Sequence, residues 1–330
     1  MPTFASDVIS AVFPVRAVPG GRVTLYGDHF DVTAPPAVTL GGVPARLAFT
    51  SPSKLVVLVP GDLDGGDTAI ALDGVRQGAR LQVGSLVATG LHQVDNPVFD
   101  RAGNLFVTYS GARGQEAPVS IFRVTPSGTR EPFASGVVNA TSMAFGPDDQ
   151  LYVTSRFEGA VYRVDAEGVS TQVASELGVA CGIAFDAEGW MYVGDRSGTI
   201  FRVRNGRATA FATLPSSIAA FHLAMGPGGD LFVSAPTLST YDYVYRIDRY
   251  GDTRQIGFPM GRPQGLAFGP DGALYVADAL AGASGIYRVP LTEAPPERVV
   301  TGGTLIGLAF GPSGEMVVAS NEAVYRFPQA

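Results

Sequence analysis

The chain has 330 residues, of which 42 are Gly and 24 are Pro. Because these two residue types interrupt helices and dominate turns, the composition argues against a mainly helical protein. Apolar residues make up 46% of the chain and charged residues only 16%, yet no run of 18 or more uncharged apolar residues occurs. This combination argues against both disorder and membrane insertion, and the length predicts about two domains.

The charge balance limits the classes of partner. The 23 basic and 30 acidic residues give a formal net charge of −7, so we expect no nucleic-acid partner and no binding to anionic lipid. A single cysteine, Cys181, excludes an intrachain disulfide. Residues 1–15 lack the basic start and apolar core of a signal peptide, which predicts a cytoplasmic protein as written, or an exported one if a leader has been removed.

Residues 1–84 contain six short β-rich segments separated by Gly, Pro and Asp turns. Segments of this length and spacing predict an antiparallel sandwich of the immunoglobulin type. The segments are RVTLYG at 22–27, AVTLGG at 37–42, ARLAF at 45–49, KLVVLVP at 54–60, TAIAL at 68–72 and ARLQVG at 79–84. We therefore expect residues 1–84 to form a domain of their own.

This segment resembles a known family at Pro14, at PGGRVTLYGDHF (19–30) and at VTLGGVPARLAFTSPSKLVVLVP (38–60). The resemblance is to the IPT/TIG family, whose members are mostly structural or interaction modules, with a minority that bind DNA. Residues 1–84 carry six basic residues against seven aspartates, a net charge of −1, which argues against DNA binding. The acidic turn at 62–67 has some carboxylates of a calcium loop but lacks the terminal Glu, so a plain hairpin turn is preferred.

A repeat organises residues 85–330. Each copy has an apolar strand ending in Phe or Met, a Gly/Pro/Asp turn and a strand of the type Leu-Tyr-Val, followed by a third strand such as VYRV (161–164) and a weaker fourth. The six copies begin at Pro97, Met143, Ile183, Leu223, Leu266 and Leu308. Four short strands per ~40 residues predict a blade of a β-propeller, so we expect six blades. Residues 85–91 resemble a fourth strand and are expected to close the ring, which removes exposed edges.

The start of the first strand and the end of the second strand of each blade should lie together at the mouth of the central channel, where ligands of propellers generally bind. Counting along the repeat and including neighbours gives one set of candidate residues. The set is Asp95, Asn96, Tyr109, Thr141, Ser155, Arg156, Cys181, Asp195, Arg196, Phe221, His222, Ala235, Gln264, Asp278, Ile306, Ser320 and Asn321.

The repeat region resembles two families of six-bladed propellers. PQGLAFGPDGALYVAD at 263–278 is similar to the NHL repeat, whose members mostly bind proteins or other ligands. The same segment, with VDNPVFD at 94–100, is similar to the gluconolactonase/senescence-marker/luciferin-regenerating family, which holds one divalent metal at the channel mouth and hydrolyses lactones.

The resemblance to gluconolactonases implies three metal-site positions. The Glu ligand of that family corresponds to Asp95, its Asn ligand to Phe221, and the Asp that is also its general base to Gln264. Neither Phe221 nor Gln264 can take the family's role, since Phe221 has no metal-ligating atom and Gln264 cannot accept a proton at neutral pH. A one-residue shift would bring in His222 as a ligand, but the base would still be missing.

Five candidates carry alternative interpretations. Asp95, Asp195 and Asp278 stand on predicted blades one, three and five and would bind one divalent cation, Ca, Zn or Mn, if they converged; alternatively, Asp195 and Asp278 accept backbone hydrogen bonds in blade turns. Cys181 is either a reactive thiol or a small buried residue, and the buried role is preferred. His222, the histidine best placed for the channel, is a candidate base, although a packed histidine is more common.

The sequence therefore predicts an all-β protein with an immunoglobulin-like sandwich at 1–84 and a six-bladed propeller at 85–330. The function expected first is a non-enzymatic binding or scaffold protein, recognising a protein or a small molecule and acting alone or as a subunit of an assembly. The alternative is a metal-dependent lactone or ester hydrolase that uses His222, Asp195 or Asp278 with Asp95. The oligomeric state stays open at this stage.

Overall fold

The computed structural model describes residues 9–74 and 78–329. Within these ranges every regular element is a β-strand, and 32 strands are formed. No helix able to cross a membrane is present in the described residues. The protein is therefore all-β, as the short β-rich segments and the repeat predicted.

Eight strands precede residue 84. They are β1 (Ile9–Phe13), β2 (Arg16–Ala17), β3 (Arg22–Gly27), β4 (Val38–Leu40), β5 (Val43–Ser51), β6 (Lys54–Leu58), β7 (Gly66–Leu72) and β8 (Ala79–Val83). Strands β1, β3, β6 and β5 pair in that order, and β5 continues through β4 to β7 and β8. The long strand β5 makes this possible because residues 43–45 pair with β4 whereas residues 46–51 pair with β6.

The apolar side chains of these strands alternate with polar ones and meet in one core. Leu25 of β3 and Leu55 of β6 are fully buried, together with Leu40 of β4 and Ile70 of β7. A side-chain period of two puts every second residue of a strand on the same face, so these residues all point inward.

The repeat region folds as a propeller-like ring of four-stranded blades. Blade one is β10 (Val98–Phe99), β11 (Leu105–Thr108), β12 (Ile121–Val124) and β13 (Arg130–Ala134). Blade two is β14 (Ala140–Phe145), β15 (Leu151–Ser155), β16 (Ala160–Val164) and β17 (Ser170–Ala174). Blade three is β18 (Ala180–Phe185), β19 (Met191–Asp195), β20 (Thr199–Arg204) and β21 (Arg207–Thr213). Blade four is β22 (His222–Met225), β23 (Leu231–Ser234), β24 (Asp242–Ile247) and β25 (Thr253–Met260).

A fifth separate sheet closes the ring. This closing blade contains β30 (Leu305–Phe310), β31 (Met316–Ser320) and β32 (Ala323–Phe327), with β9 (Ser85–Thr89) as its outer strand. Strand β9 pairs antiparallel with β32, Thr89 lying opposite Ala323. The segment at 85–91 was expected to supply this strand.

The number of separate four-stranded blades is five, not the six expected. Strands β26 (Pro263–Phe268), β27 (Leu274–Asp278), β28 (Gly285–Val289) and β29 (Glu297–Thr301) pair in order, but they belong to a 12-stranded sheet that includes the N-terminal strands. The cause is the two-residue strand β2, which pairs in parallel with β8 and, at Ala17 and Thr301, with β29.

Backbone and side-chain contacts reinforce this junction. The backbone N–H of Val18 donates to the carbonyl of Thr301 (2.9 Å), and the N–H of Arg22 donates to Oγ1 of Thr301 (3.0 Å). The guanidinium of Arg16 lies over the ring of Phe327, 5.9 Å from its centroid. The N-terminal strands are thus attached to the outer strand of the β26–β29 set and to the closing blade.

Neighbouring blades pack through aromatic pairs that the repeat supplies. The second residue of one blade's second strand contacts the Phe at the end of the next blade's first strand, with ring centroids 4.8–5.6 Å apart. The pairs are Phe106–Phe145, Tyr152–Phe185, Phe232–Phe268 and Tyr275–Phe310. Each contact of this kind contributes about 0.5–1.5 kcal/mol beyond area burial, which explains the recurring aromatic residues.

Candidate functional site

The first strands of the ring bring six equivalent residues to its centre. Each immediately precedes the residue at which a repeat copy begins, and three of them are polar while the other three are glycine. They are Asn96, Ser142, Gly182, His222, Gly265 and Gly307. Because three of the six lack a side chain, the other three have room to reach across the ring.

Asp95 and His222 form the central contact. Nδ1 of His222 lies 2.6 Å from Oδ1 of Asp95, and both side chains are buried, His222 with no exposed surface. The same carboxylate oxygen accepts the backbone N–H of Asn96 at 2.7 Å. The pair joins blade four to the start of blade one across the ring.

Ser142 extends this network to blades two and three. Its hydroxyl donates to Oδ2 of Asp95, and its Oγ accepts the backbone N–H of Gly182 at 2.7 Å. Both oxygens of the Asp95 carboxylate are therefore used by neighbouring groups. Such a buried network is stable only where its donors and acceptors are satisfied, and here one atom is not: Nε2 of His222 has no hydrogen-bond partner among the described residues.

Asn96 completes the centre on the opposite side. Its Nδ2 donates to the carbonyl of Leu266 (2.8 Å), and its Oδ1 accepts the N–H of Leu308 (2.9 Å). A Cβ at Gly265 would overlap Oδ1 of Asn96, and a Cβ at Gly307 would lie 2.8 Å from the carbonyl oxygen of Asp95. Glycine is thus required at both positions for this contact.

Beyond this network lies an apolar part of the channel. A cavity of about 340 Å³ is lined by the first strands of all four numbered blades, of the β26–β29 set and of the closing blade. Phe99, Phe145 and Phe185 are among its lining residues, as is Asn96 of the polar network. The polar network therefore separates the mouth face, where first strands begin and second strands end, from an apolar channel.

Asp195 and Asp278 do not join Asp95. Asp195 accepts the N–H of Val179 (2.8 Å) and the hydroxyl of Ser197, while Asp278 accepts backbone N–H groups of Gly261, Arg262 and Leu280 at 2.8–2.9 Å. No group of three or more His, Cys, Asp or Glu side chains able to hold a metal occurs within residues 9–74 and 78–329. The three-aspartate metal site expected from the repeat is not formed, because two of its members stabilise blade turns.

The positions matched to gluconolactonases do not fit a metal either. Phe221 is fully buried and packs in the core between blades three and four. Nε2 of Gln264 lies 3.5 Å from the carbonyl of Arg262. Both carboxylate oxygens of Asp95 already accept hydrogen bonds, from the N–H of Asn96 and the hydroxyl of Ser142. Of the three positions, Phe221 carries no ligating group, and Gln264 offers only a neutral amide oxygen that cannot serve as a general base.

The small candidates Cys181, Thr141 and Ser155 have structural roles inside their blades. Cys181 is buried, and burial raises the pKa of its thiol to about 12. A thiol in this state is unreactive, which agrees with the buried structural role preferred from the sequence. Thr141 donates its hydroxyl to the carbonyl of Asn139 (2.9 Å), and Ser155 donates to the carbonyl of Val138 (2.5 Å). None of these three side chains is free to contact a ligand.

Four candidates lie farther out on the mouth face. Tyr109 is half-buried, with its ring edge-on to His92, and Nδ2 of Asn321 donates to the carbonyl of Gln93 (2.8 Å). Arg196 is exposed and Arg156 is half-buried, and neither is part of an ion pair among the described residues.

A second feature of the mouth face was not predicted. A cavity of about 630 Å³ lies where the loop at 215–218 meets blade four, and we call it the tyrosine groove. Its lining includes Tyr241, Tyr243 and Tyr245, which share one side of the chain because strand residues alternate. Leu238, also in the lining, is 90% exposed, and Tyr241 is 61% exposed.

Blade four differs from the other repeat copies at one position of its third strand. Tyr245 stands where the other third strands also carry Phe or Tyr, so it belongs to the repeat. Tyr243 stands two positions earlier, where the other five copies have small residues, namely Ser120, Ala160, Thr199, Gly285 and Ala323. This signal was present in the sequence, but counting only strand ends did not reveal it.

Family models match two parts of the chain. Residues 8–83 match the IPT/TIG domain, as the sequence resemblance indicated, and residues 182–203 match the model described as strictosidine synthase-like, N-terminal. No curated protein matches the chain.

Solved structures share the fold at low sequence identity. An auxiliary nutrient binding protein from Bacteroides thetaiotaomicron matches with a TM-score of 0.57 and 14% identity, covering 98% of each chain. A gluconolactonase from Xanthomonas campestris matches with a TM-score of 0.58 and 15% identity, over 73% of this chain and 89% of its own. A virginiamycin B lyase from Staphylococcus aureus matches with a TM-score of 0.51 and 15% identity, over 73% and 87%. These similarities concern the fold alone.

Proposed function

We propose that this protein is a non-catalytic binding protein and that the tyrosine groove is its recognition site. The observation that carries the proposal is Tyr243, a large half-buried side chain where the other five repeat copies have Ser, Ala, Thr or Gly. A blade does not need a tyrosine at this position to fold, so its presence in one blade only is better explained by a ligand.

The lining of the groove favours a neutral, polyhydroxylated ligand such as a saccharide. Tyrosine rings offer flat apolar faces and a hydroxyl that hydrogen-bonds at the rim. The Asp242 carboxylate already accepts the N–H (3.0 Å) and the hydroxyl (2.7 Å) of Thr237, and the groove lining contains no Lys or Arg. An anionic ligand would therefore find no counter-ion there, and the one carboxylate of the lining is already hydrogen-bonded within the loop.

The ring centre supports a binding role over catalysis. The carboxylate of Asp95 is engaged by Ser142, Asn96 and His222, and Asp195 and Asp278 hold blade turns. The full-length structural similarity to a protein described as an auxiliary nutrient binding protein is in accord with this proposal. The alternative, a metal-dependent lactone hydrolase, gains no support from the residues at the matched metal positions.

We also propose that β26–β29 act as a sixth blade and that residues 1–84 form an immunoglobulin-like sandwich serving as an attachment module for a partner. In support, β26 contacts β22 on one side and β30 on the other, and the four strands pair in the same order as in each numbered blade. Size-exclusion chromatography of the native protein with its co-purifying partners tests the attachment role. Elution as a free monomer from the source organism would count against it.

Titration calorimetry with a panel of neutral oligosaccharides tests the recognition site. Tyr243→Ala, which introduces the residue that two other blades carry, is expected to weaken binding at least about tenfold with the ring intact. Tyr250→Ala is the matched control, because Tyr250 is 73% exposed in the β24–β25 turn of the same blade and does not line the groove. Equal losses in the two variants, or no saccharide bound by the wild type, would overturn the proposal.

A further inference from the structure

A cleft separates the N-terminal strands from the β26–β29 set. Its volume is about 440 Å³, and residues of β1, β3 and β6 line one side while β28, β29 and the segments beside them line the other. The cleft is distinct from both the ring centre and the tyrosine groove, with which it shares no lining residue.

Positive charge dominates this cleft. Arg22, Lys54 and Arg298 line it, whereas no Asp or Glu does, although the whole chain carries a net charge of −7. Lys54 is also the only lysine in the sequence. None of the three cations has a carboxylate within 4.0 Å among the described residues, in contrast to Arg123, which pairs with Glu131.

The strand pairing explains how two of the three cations, Arg22 and Lys54, line one side of the cleft. Arg22 of β3 and Lys54 of β6 lie on adjacent antiparallel strands, on either side of the opposed residues Thr24 and Val56. Their Cα atoms are about 13 Å apart along the strand direction. This distance is within the combined reach of an arginine and a lysine side chain. The guanidinium of Arg22 reaches across to Gly282, where an added Cβ would lie 3.2 Å from Nη1.

Aromatic residues hold the third cation. The guanidinium of Arg298 lies 5.9 Å from the ring centroid of Phe13, a cation–π contact. Tyr287, whose hydroxyl donates to the carbonyl of Ala283 at 2.6 Å, lines the same side. Arg298 is therefore oriented by its neighbours although it forms no ion pair.

We propose that this cleft binds a small anion carrying two or more phosphate groups. Three cations in a concave space without carboxylates repel one another, and a multivalent anion removes that repulsion. Guanidinium groups bind phosphate through two parallel N–H···O bonds, and the ammonium group of lysine adds a point charge. Since both sides of the cleft contribute cations, the bound anion connects the N-terminal strands to the ring.

Calorimetric titration of the full chain with pyrophosphate tests this site. The wild type is expected to bind pyrophosphate, and Arg22→Gln and Arg298→Gln are each expected to weaken binding about tenfold. The matched control is Arg207→Gln, which removes the same charge from an exposed residue of β21 outside the cleft and should leave the affinity within about twofold.

A lysine variant and a second anion complete the test. Lys54→Met keeps most of the apolar stem, so a loss of pyrophosphate affinity with an unchanged melting temperature supports the site even if an arginine variant fails to fold. Citrate at matched ionic strength separates phosphate recognition from simple charge attraction. Citrate binding as tight as that of pyrophosphate, an equal loss in Arg207→Gln, or no binding by the wild type would overturn the proposal.

Discussion

Asp95 and His222 are 127 positions apart in the chain, yet Nδ1 of His222 lies 2.6 Å from Oδ1 of Asp95 at the centre of the ring. The contact spans from the start of blade one to blade four, and Ser142 of blade two donates to the other oxygen of the same carboxylate. A single side chain therefore ties three blades together in a buried site, where an unpaired polar group is costly.

Removal of this carboxylate should destabilise the whole ring. Asp95→Ala leaves Nδ1 of His222 and the hydroxyl of Ser142 without their acceptor, at a cost of about 1–3 kcal/mol for each group, so we expect the free energy of unfolding to fall by about 3 kcal/mol or more. Urea unfolding followed by the fluorescence of Trp190, the only tryptophan, measures the change.

Asp67→Ala is the control for Asp95→Ala. Asp67 forms a 2.5 Å ion pair with Arg80 in which both side chains are more than 60% exposed, and such surface pairs contribute at most about 1 kcal/mol. Equal losses in the two variants would show that the central network does not hold the blades together.

The glycines of the ring centre should be as sensitive as its polar residues. In Gly265→Ala, the new methyl group displaces Asn96 from its bonds to Leu266 and Leu308, and overpacking of this kind costs about 1–3 kcal/mol. Gly228→Ala is the matched control, since nothing lies within 4 Å of a Cβ at that position. Thermal unfolding distinguishes the two: a melting temperature of Gly265→Ala equal to that of Gly228→Ala would contradict this account of Asn96.

Asp278 should act on stability rather than on metal binding. Asp278→Ala removes the acceptor of three backbone N–H groups, and we expect a loss of about 2–4 kcal/mol in the free energy of unfolding. The control Asp252→Ala removes an exposed carboxylate from the turn after β24 and should change little. Thermal scans with Ca²⁺ or Mn²⁺ complete the test: a rise in the wild-type melting temperature that disappears in Asp278→Ala would restore the metal site.

The repeat made most of the ring predictable from the sequence. The copies at Met143 and Leu266 lie in β14 and β26, and the Leu-Tyr-Val segments form the second strands, because the turn residues and the period-two pattern are local signals. The merging of β26–β29 with the N-terminal strands was not predictable. It depends on the two-residue strand β2, whose Ala17 pairs with Thr301, 284 positions later, and no local pattern encodes this pairing.

The candidate site was predicted only in part. Repeat counting brought Asp95, Asn96 and His222 to the ring centre, but it missed Ser142, one position from the counted Thr141. Side-chain direction decides which of two successive strand residues enters the network, and the bulges in the first strands shift that direction. Tyr243 was missed for another reason: its signal is a departure from the repeat rather than a match to it.

The chemistry of Cys181 provides a test that depends on pH. With its pKa raised to about 12 by burial, only about one part in ten thousand of the native thiol is thiolate at pH 8, against about a tenth or more for an ordinary cysteine. We therefore expect Ellman's reagent to react with the native protein far more slowly than with the chain unfolded in urea. The native rate should keep rising with pH beyond 9, where the rate of the unfolded chain levels off. A native thiol that reacts as fast as the unfolded one at pH 8, with a plateau near pH 9, would mean that Cys181 is open to the mouth face and available to a ligand.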